Sequence, residues 1–138
     1  MMLRKDAKVE LMRRVPLFAD CSKRELAAIA SLADELRFES GRTLIREGER
    51  GREFIVVVEG EVEVRKKGRK LPRRGGDDFF GELALLTNAP RSATVQTTTP
   101  VRALVIADNA FQRLLTSSPQ IQIKILRSLA ERLAPDDL

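Results

Sequence analysis

Histidine, tryptophan and tyrosine are absent from this chain, and Cys21 is its one cysteine. No disulfide can form within it, no zinc site of the Cys/His kind can be assembled, and no His-centred triad is available. A Gly-Lys-Ser/Thr phosphate loop and a Gly-x-Ser-x-Gly elbow are missing as well. Without them an enzyme is not expected, nor is a metal or a prosthetic group. Long hydrophobic runs are also lacking: the strongest is the short stretch Phe54 to Val58, which cannot span a bilayer. Residues Met1 to Glu10 alternate charged and apolar side chains, unlike the apolar core of a secretory signal. The expected setting is cytoplasmic, with no membrane partner.

What is present suits one domain over residues 1–138, with 43% apolar and 33% charged residues. The net charge of +5 is local. Seven basic residues and no acid lie between Arg65 and Arg74, and the rest of the chain holds 18 basic against 20 acidic residues. A solvated hairpin tip whose like charges discourage edge pairing accounts for such a run. Binding of nucleic acid or an acidic partner through 65–74 is the alternative, and nucleic acid is the less favoured.

Helix is expected first, over Asp6 to Arg14, interrupted by the apolar turn Val15-Pro16-Leu17-Phe18. Ser22 and Glu25 fit a capping box, with Cys21 and Leu26 as its staple. Leu26, Ile29, Ala30, Ala33 and Leu36 recur at helical spacing, so this helix is expected to end near Leu36. The helical part is thus 1–37. Short segments rich in β-branched residues follow: Thr43 to Ile45, Glu53 to Glu59, Glu61 to Lys66, Ser92 to Thr98 and Val101 to Ala107. Glycine-rich turns between them suit an antiparallel sandwich or barrel over 38–107 rather than βαβ units. In Glu61 to Arg65 the two valines face the core.

Helix returns over 108–138, capped at Asp108 or Asn109 and again at Ser118-Pro119. On the last helix Ile123, Leu126, Leu129, Ala130 and Leu133 form one stripe, with Ile121 and Ile125 toward a neighbouring one. Ordinary packing of that stripe is expected, with a ligand lid or a homodimer contact as alternatives.

The segment 76–94 is too long for a tight hairpin. It contains a short apolar helix, Glu82 to Leu86, entered through Gly81 and left through Asn88 and Pro90. A helix start offers N–H groups to an anion. Arg91 supplies a planar fork for two phosphate oxygens, and Ser92 adds a hydroxyl. Glu82 can accept a hydrogen bond from a sugar hydroxyl. Taken alone, the pair could equally be a surface ion bridge.

The run Phe80-Gly81-Glu82-Leu83-Ala84-Leu85-Leu86, three residues, then Pro90-Arg91-Ser92-Ala93-Thr94-Val95 closely resembles the phosphate-binding cassette of cyclic-nucleotide-binding domains. Such domains occur in bacterial regulators, protein kinase regulatory subunits and cyclic-nucleotide-gated channels. Val15 to Phe18, the Ser22 helix, Ile45-Arg46-Glu47-Gly48-Glu49 and the Gly60 turn are similar to that family's framework.

The resemblance implies a mainly β fold with flanking helices. Its centre would be an eight-stranded, jelly-roll-like antiparallel β-roll with N-terminal helices, a short cassette helix and one or two C-terminal helices. It implies Glu82 on the ribose 2′-hydroxyl, Arg91 and Ser92 on the cyclic phosphate, and backbone N–H groups near Gly81, Leu83, Ala84 and Ala93 completing the cradle. The function implied is a non-catalytic sensor that signals through movement of its C-terminal helix to an effector domain or protein. Within the family, Ser92 after the arginine leans toward cyclic AMP over cyclic GMP as ligand.

The chain departs from the pattern between Gly76 and Glu82, which holds one residue more than the family usually has, so a bulge is expected there. That departure motivates the alternative of a degenerate roll that serves as an interaction module and binds no nucleotide. With no Trp or Tyr, a Leu or Ile of the last helix is the expected cover for the base. Only Ala134 to Leu138 follows that helix, so a self-contained sensor and a fragment of a longer protein both remain open.

Overall fold

The chain after Ala33 forms antiparallel sheets in the computed structural model, which describes residues 2–72 and 78–133, and most of the longer strands are rich in β-branched residues. The strands are Asp34–Phe38 (β1), Thr43–Ile45 (β2), Glu53–Glu59 (β3), Val62–Lys66 (β4), Arg69–Lys70 (β5), Phe79–Phe80 (β6), Thr94–Thr97 (β7) and Val101–Ala107 (β8). One sheet runs β1-β8-β3-β6 and the other β2-β7-β4-β5, with every pairing antiparallel. This is the mainly β, jelly-roll-like arrangement with helices before and after it in the chain. Two compact units emerge, Ala33–Asn109 and the helical residues on either side in sequence.

The roll's interior is aliphatic. Ile45, Val62, Val64 and Val95 from one sheet pack with Ile55, Val57, Val101, Ala103 and Val105 from the other. Burying each of the valines and isoleucines is worth about 1.5–3 kcal/mol. In β3 and β8 the alternate residues Phe54, Val56, Leu104 and Ile106 are buried too, so Phe54 to Val57 and Ala103 to Ile106 read as unbroken buried apolar runs. In β4 only Val62 and Val64 point inward, and the charges point outward, as their alternation predicts.

The basic segment forms the β4–β5 hairpin. Lys67 and Gly68 both take positive φ, 52° and 78°, the geometry whose twist suits a two-residue hairpin turn. Lys66, Lys67, Arg69 and Lys70 are exposed, and Glu63 pairs with Arg65 at 2.6 Å and Lys70 at 3.4 Å. Arg73, Arg74 and Gly75-Gly76-Asp77, which include the start of the Gly76 to Glu82 stretch with its extra residue, lie outside the described residues.

The helices are Lys5–Arg13 (α1), a single turn at Pro16–Phe18, Lys23–Ala30 (α2), Asp108–Ser117 (α3) and Pro119–Leu133 (α4). Both halves of the capping box are present, with Glu25 N–H on Ser22 Oγ at 3.2 Å and Ser22 N–H on Glu25 Oε1 at 2.8 Å. Phe18 packs on Phe111 with ring centroids 5.8 Å apart. Burial pushes the Cys21 thiol up to about 11, which leaves it unreactive at neutral pH.

Two expectations are corrected here. The α2 helix ends at Ala30, not near Leu36, and the helical part does not reach residue 37. Asp34–Phe38 is instead an edge strand, whose backbone pairs with β8 from Asp34↔Val105 to Phe38↔Val101. Long-range pairing outweighs a local helical spacing that Leu36, 41% exposed, does not support by packing. On α4 the buried face is Ile121, Ile125 and Ser128, while Ile123 and Leu126 are exposed. The Ser128 hydroxyl donates to Pro16 O at 2.7 Å, and Lys124 pairs with Glu25, which turns that face inward.

Candidate functional site

The site begins where β6 leaves the sheet. Asp78 O accepts from Val57 N–H at 2.7 Å, and Phe79 and Phe80 pair with Val56 and Ile55. From Asp78 onward the chain therefore keeps regular register with β3. Gly81 then takes φ 77°, ψ 32°, a left-handed conformation that costs other residues about 1–2 kcal/mol. A single 3₁₀ turn, Glu82–Leu85, follows, anchored by buried Ala84 and Leu85. Ala84 N–H donates to Gly81 O at 3.0 Å, and Leu86 and Thr87 N–H both donate to Leu83 O.

The chain from Asn88 to Thr94 is gripped by the turn before β3. Arg50 Nη1 donates to Asn88 O at 2.8 Å, Arg91 N–H to Glu49 O at 2.7 Å, and Gly48 N–H to Arg91 O at 2.9 Å. Glu47 N–H donates to Thr94 Oγ1 at 2.9 Å. Backbone on both sides of Arg91 is thereby fixed.

The Arg91 guanidinium is half-buried, and its Nη2 donates to Glu53 O at 2.6 Å. Burial lowers its pKa from the usual arginine value and the Glu53 carboxylate works against that, so the group stays charged. An ideal Cβ on Gly81 would overlap Nη1, and one on Gly51 would fall 2.5–2.8 Å from Nε, Cζ and Cδ.

Beside the guanidinium opens a hollow of about 530 Å³, lined by Gly81 to Ala84, Thr87 and Ala89 to Ser92. That volume lies within the range of small-ligand sites. A second hollow, of about 100 Å³, adjoins it and shares Gly81, Arg91 and Ser92. Its other walls are Ile45, Val64, Phe80, Ala93 and Val95, which are apolar. A charged fork thus stands between a larger recess and a smaller apolar one, suited to an anion attached to a partly apolar body. Among the described residues no cluster of His, Cys, Asp or Glu could hold a metal ion.

The cyclic nucleotide-binding domain model matches residues 35–118, which takes in the roll from the second residue of β1 onward and this hollow. The chain belongs to the cyclic nucleotide-binding domain family. The cAMP-dependent protein kinase regulatory subunit of Mycosarcoma maydis is 40% identical over 115 residues, 73% of this chain and 21% of that protein. Its counterpart in Neurospora crassa is 37% identical over 106 residues, 75% of this chain and 28% of that one. This chain therefore spans between a fifth and a third of these relatives.

Among solved structures, the N-terminal domain of a transcriptional regulator from Streptomyces coelicolor A3(2) superposes with a TM-score of 0.80 at 33% identity, covering 89% of this chain and 91% of that one. A PKAR CBD2 with Sp-2Cl-cAMPS bound superposes with a TM-score of 0.67 at 26% identity, covering 91% of both chains.

Of the residues singled out from sequence for this cyclic nucleotide-binding domain, Gly81, Glu82, Leu83, Ala84, Arg91 and Ser92 line the larger hollow and Ala93 the smaller. Ala84 lines it with its N–H already given to Gly81 O. Sequence reasoning missed Gly51 and the Glu53 carbonyl, which shape and hold Arg91, and Thr87, Ala89 and Pro90 on the walls. The Ile45 to Glu49 framework signalled a neighbouring turn, yet nothing in local spacing connects residues 51 and 53 to residue 91.

Proposed function

We propose that this domain is a non-catalytic cytoplasmic sensor of a cyclic nucleotide, cyclic AMP in preference to cyclic GMP. The observation that carries the reading is the half-buried Arg91 fork, held by Glu53 O on the wall of a ligand-sized hollow that Glu82 also lines. Arg91 and Ser92 take the cyclic phosphate, assisted by backbone N–H groups near Gly81, Leu83 and Ala93. Glu82 accepts from the ribose 2′-hydroxyl. The relatives named for cAMP-dependent kinase regulation, and the related domain with a cyclic phosphorothioate bound, support a nucleotide of this class. The output is a ligand-dependent change in α4, read by an effector domain or protein. That requires the nucleotide to bind one α4 state more tightly than another.

Titration calorimetry and thermal melts with cyclic AMP and cyclic GMP test this. At a hundred times the dissociation constant the ligand stabilises the fold by about 2.7 kcal/mol, on the order of 10 °C. Arg91→Ala weakens binding by roughly 2–5 kcal/mol. Absence of any shift at millimolar concentrations of both nucleotides rejects the reading. Amide hydrogen exchange in α4, with and without nucleotide, reports the output.

A further inference from the structure

Gly51 is buried, and its φ lies outside the left-handed region, so nothing about its backbone demands glycine. The three heavy atoms nearest to a Cβ built there all belong to one side chain: Nε, Cζ and Cδ of Arg91, at 2.5, 2.7 and 2.8 Å. What glycine provides at this position is a track for that guanidinium. Gly81 differs, because there a Cβ meets the Glu53 carbonyl oxygen at 3.2 Å as well as Arg91, and φ is positive.

The Arg91 backbone cannot yield to a new methyl group, since its N–H and C=O are bonded to Glu49 and Gly48, and Gly51 N–H itself reaches Ala89 O at 3.4 Å. The flexible end of Arg91 would have to move instead, giving up Nη2 on Glu53 O. Side chains of this kind relocate at little cost to folding, whereas a displaced fork loses the geometry of bidentate anion recognition.

We propose that Gly51 is a positioning residue of the anion site, acting through Arg91 alone: the missing side chain holds the guanidinium between residues 51 and 81, with Glu53 O as its stop. The proposal rests on the cyclic-nucleotide reading for its ligand, and it deepens that reading by placing part of the affinity in a residue remote in sequence from the cassette.

The test is a double-mutant cycle with Gly51→Ala and Arg91→Ala, read by calorimetry with cyclic AMP and by ligand-free melts. Gly51→Ala is expected to melt within about 2 °C of the parent and to raise the dissociation constant about ten- to a hundredfold. In the Arg91→Ala background the same change is expected to add less than about twofold. Parent-like affinity in Gly51→Ala, or an undiminished loss in the Arg91→Ala background, overturns the proposal.

Should Gly51→Ala fail to fold, folding of the double variant would place the clash on Arg91. Failure of both would show a structural need for glycine and overturn the proposal. Should the parent bind no nucleotide, the function reading falls, while the Arg91 Nε–H resonance in ligand-free protein still decides positioning. A displaced signal in Gly51→Ala supports it and an unchanged one overturns it.

Discussion

Glu25 and Lys124 form an ion pair that ties the first turn of α2 to the middle of α4. The same carboxylate closes the capping box through Ser22 N–H. The hydrogen bond from Lys124, and after it that from Ser22, holds the Glu25 carboxyl below its ordinary value of 4.5. A carboxyl lowered on folding stabilises the fold above its unfolded value, and that contribution disappears as pH falls through the lower folded value.

Lys124→Met is therefore expected to lose about 1 kcal/mol at pH 7, at the upper end for an accessible pair. Urea unfolding at a series of pH values should show the gap between parent and variant closing below about pH 4. A gap that persists unchanged into acid would show that Lys124 contributes through its aliphatic stem rather than its charge.

The two sides of α4 should respond oppositely to truncation. Ile125, 4% exposed, is expected to cost about 2–5 kcal/mol on replacement by alanine. Leu126, 67% exposed, should stay within about 0.5 kcal/mol. Chemical denaturation of both variants checks this, and equal losses would mean that Ile123 and Leu126 are covered in solution.

Thr97 is buried, and its hydroxyl donates to Glu39 O at 2.7 Å while accepting from Arg42 N–H at 2.8 Å. Thr97→Val leaves both backbone groups without that partner and is expected to cost about 2–3 kcal/mol. Thr97→Ser keeps the hydroxyl and should lose about 1 kcal/mol, the worth of one methyl group. Melting curves of the two variants measure the difference, and equal losses would count against the hydrogen bonds.

If Glu82 accepts from the ribose, the parent should bind cyclic AMP more tightly than its 2′-deoxy analogue by about 1.5–3 kcal/mol, the worth of a hydrogen bond to a charged group. In Glu82→Ala that preference should vanish, leaving two similar, weaker affinities. Competition titration with both ligands gives the comparison. Retained preference in the variant would move the ribose elsewhere.

Much of this was legible beforehand because it is local. Ser22 and Glu25 sit three residues apart and form the cap they spell out. The limits of β3 and β8 match the expected segments, since each centres on an unbroken apolar run, Phe54 to Val57 and Ala103 to Ile106, that is buried on both faces. Asp34–Phe38 was illegible as a strand because four of its five residues are polar or exposed and its state comes from pairing with β8. The two-residue strand Phe79–Phe80 exists only through its ladder to β3. The covered side of α4 could not be chosen from two overlapping apolar stripes until Ser128 and Lys124 found their partners.

Residue types and their order determined the family, the antiparallel roll, and Glu82, Arg91 and Ser92 in one cassette, because periodicity, caps and that motif act over a few neighbouring positions. Tertiary structure alone decided where the Arg91 guanidinium lies. It rests against glycine at 51, is bonded to a carbonyl 38 residues earlier in the chain, and stands between two hollows. Contacts of that separation depend on how the sheets fold together, which no local pattern encodes.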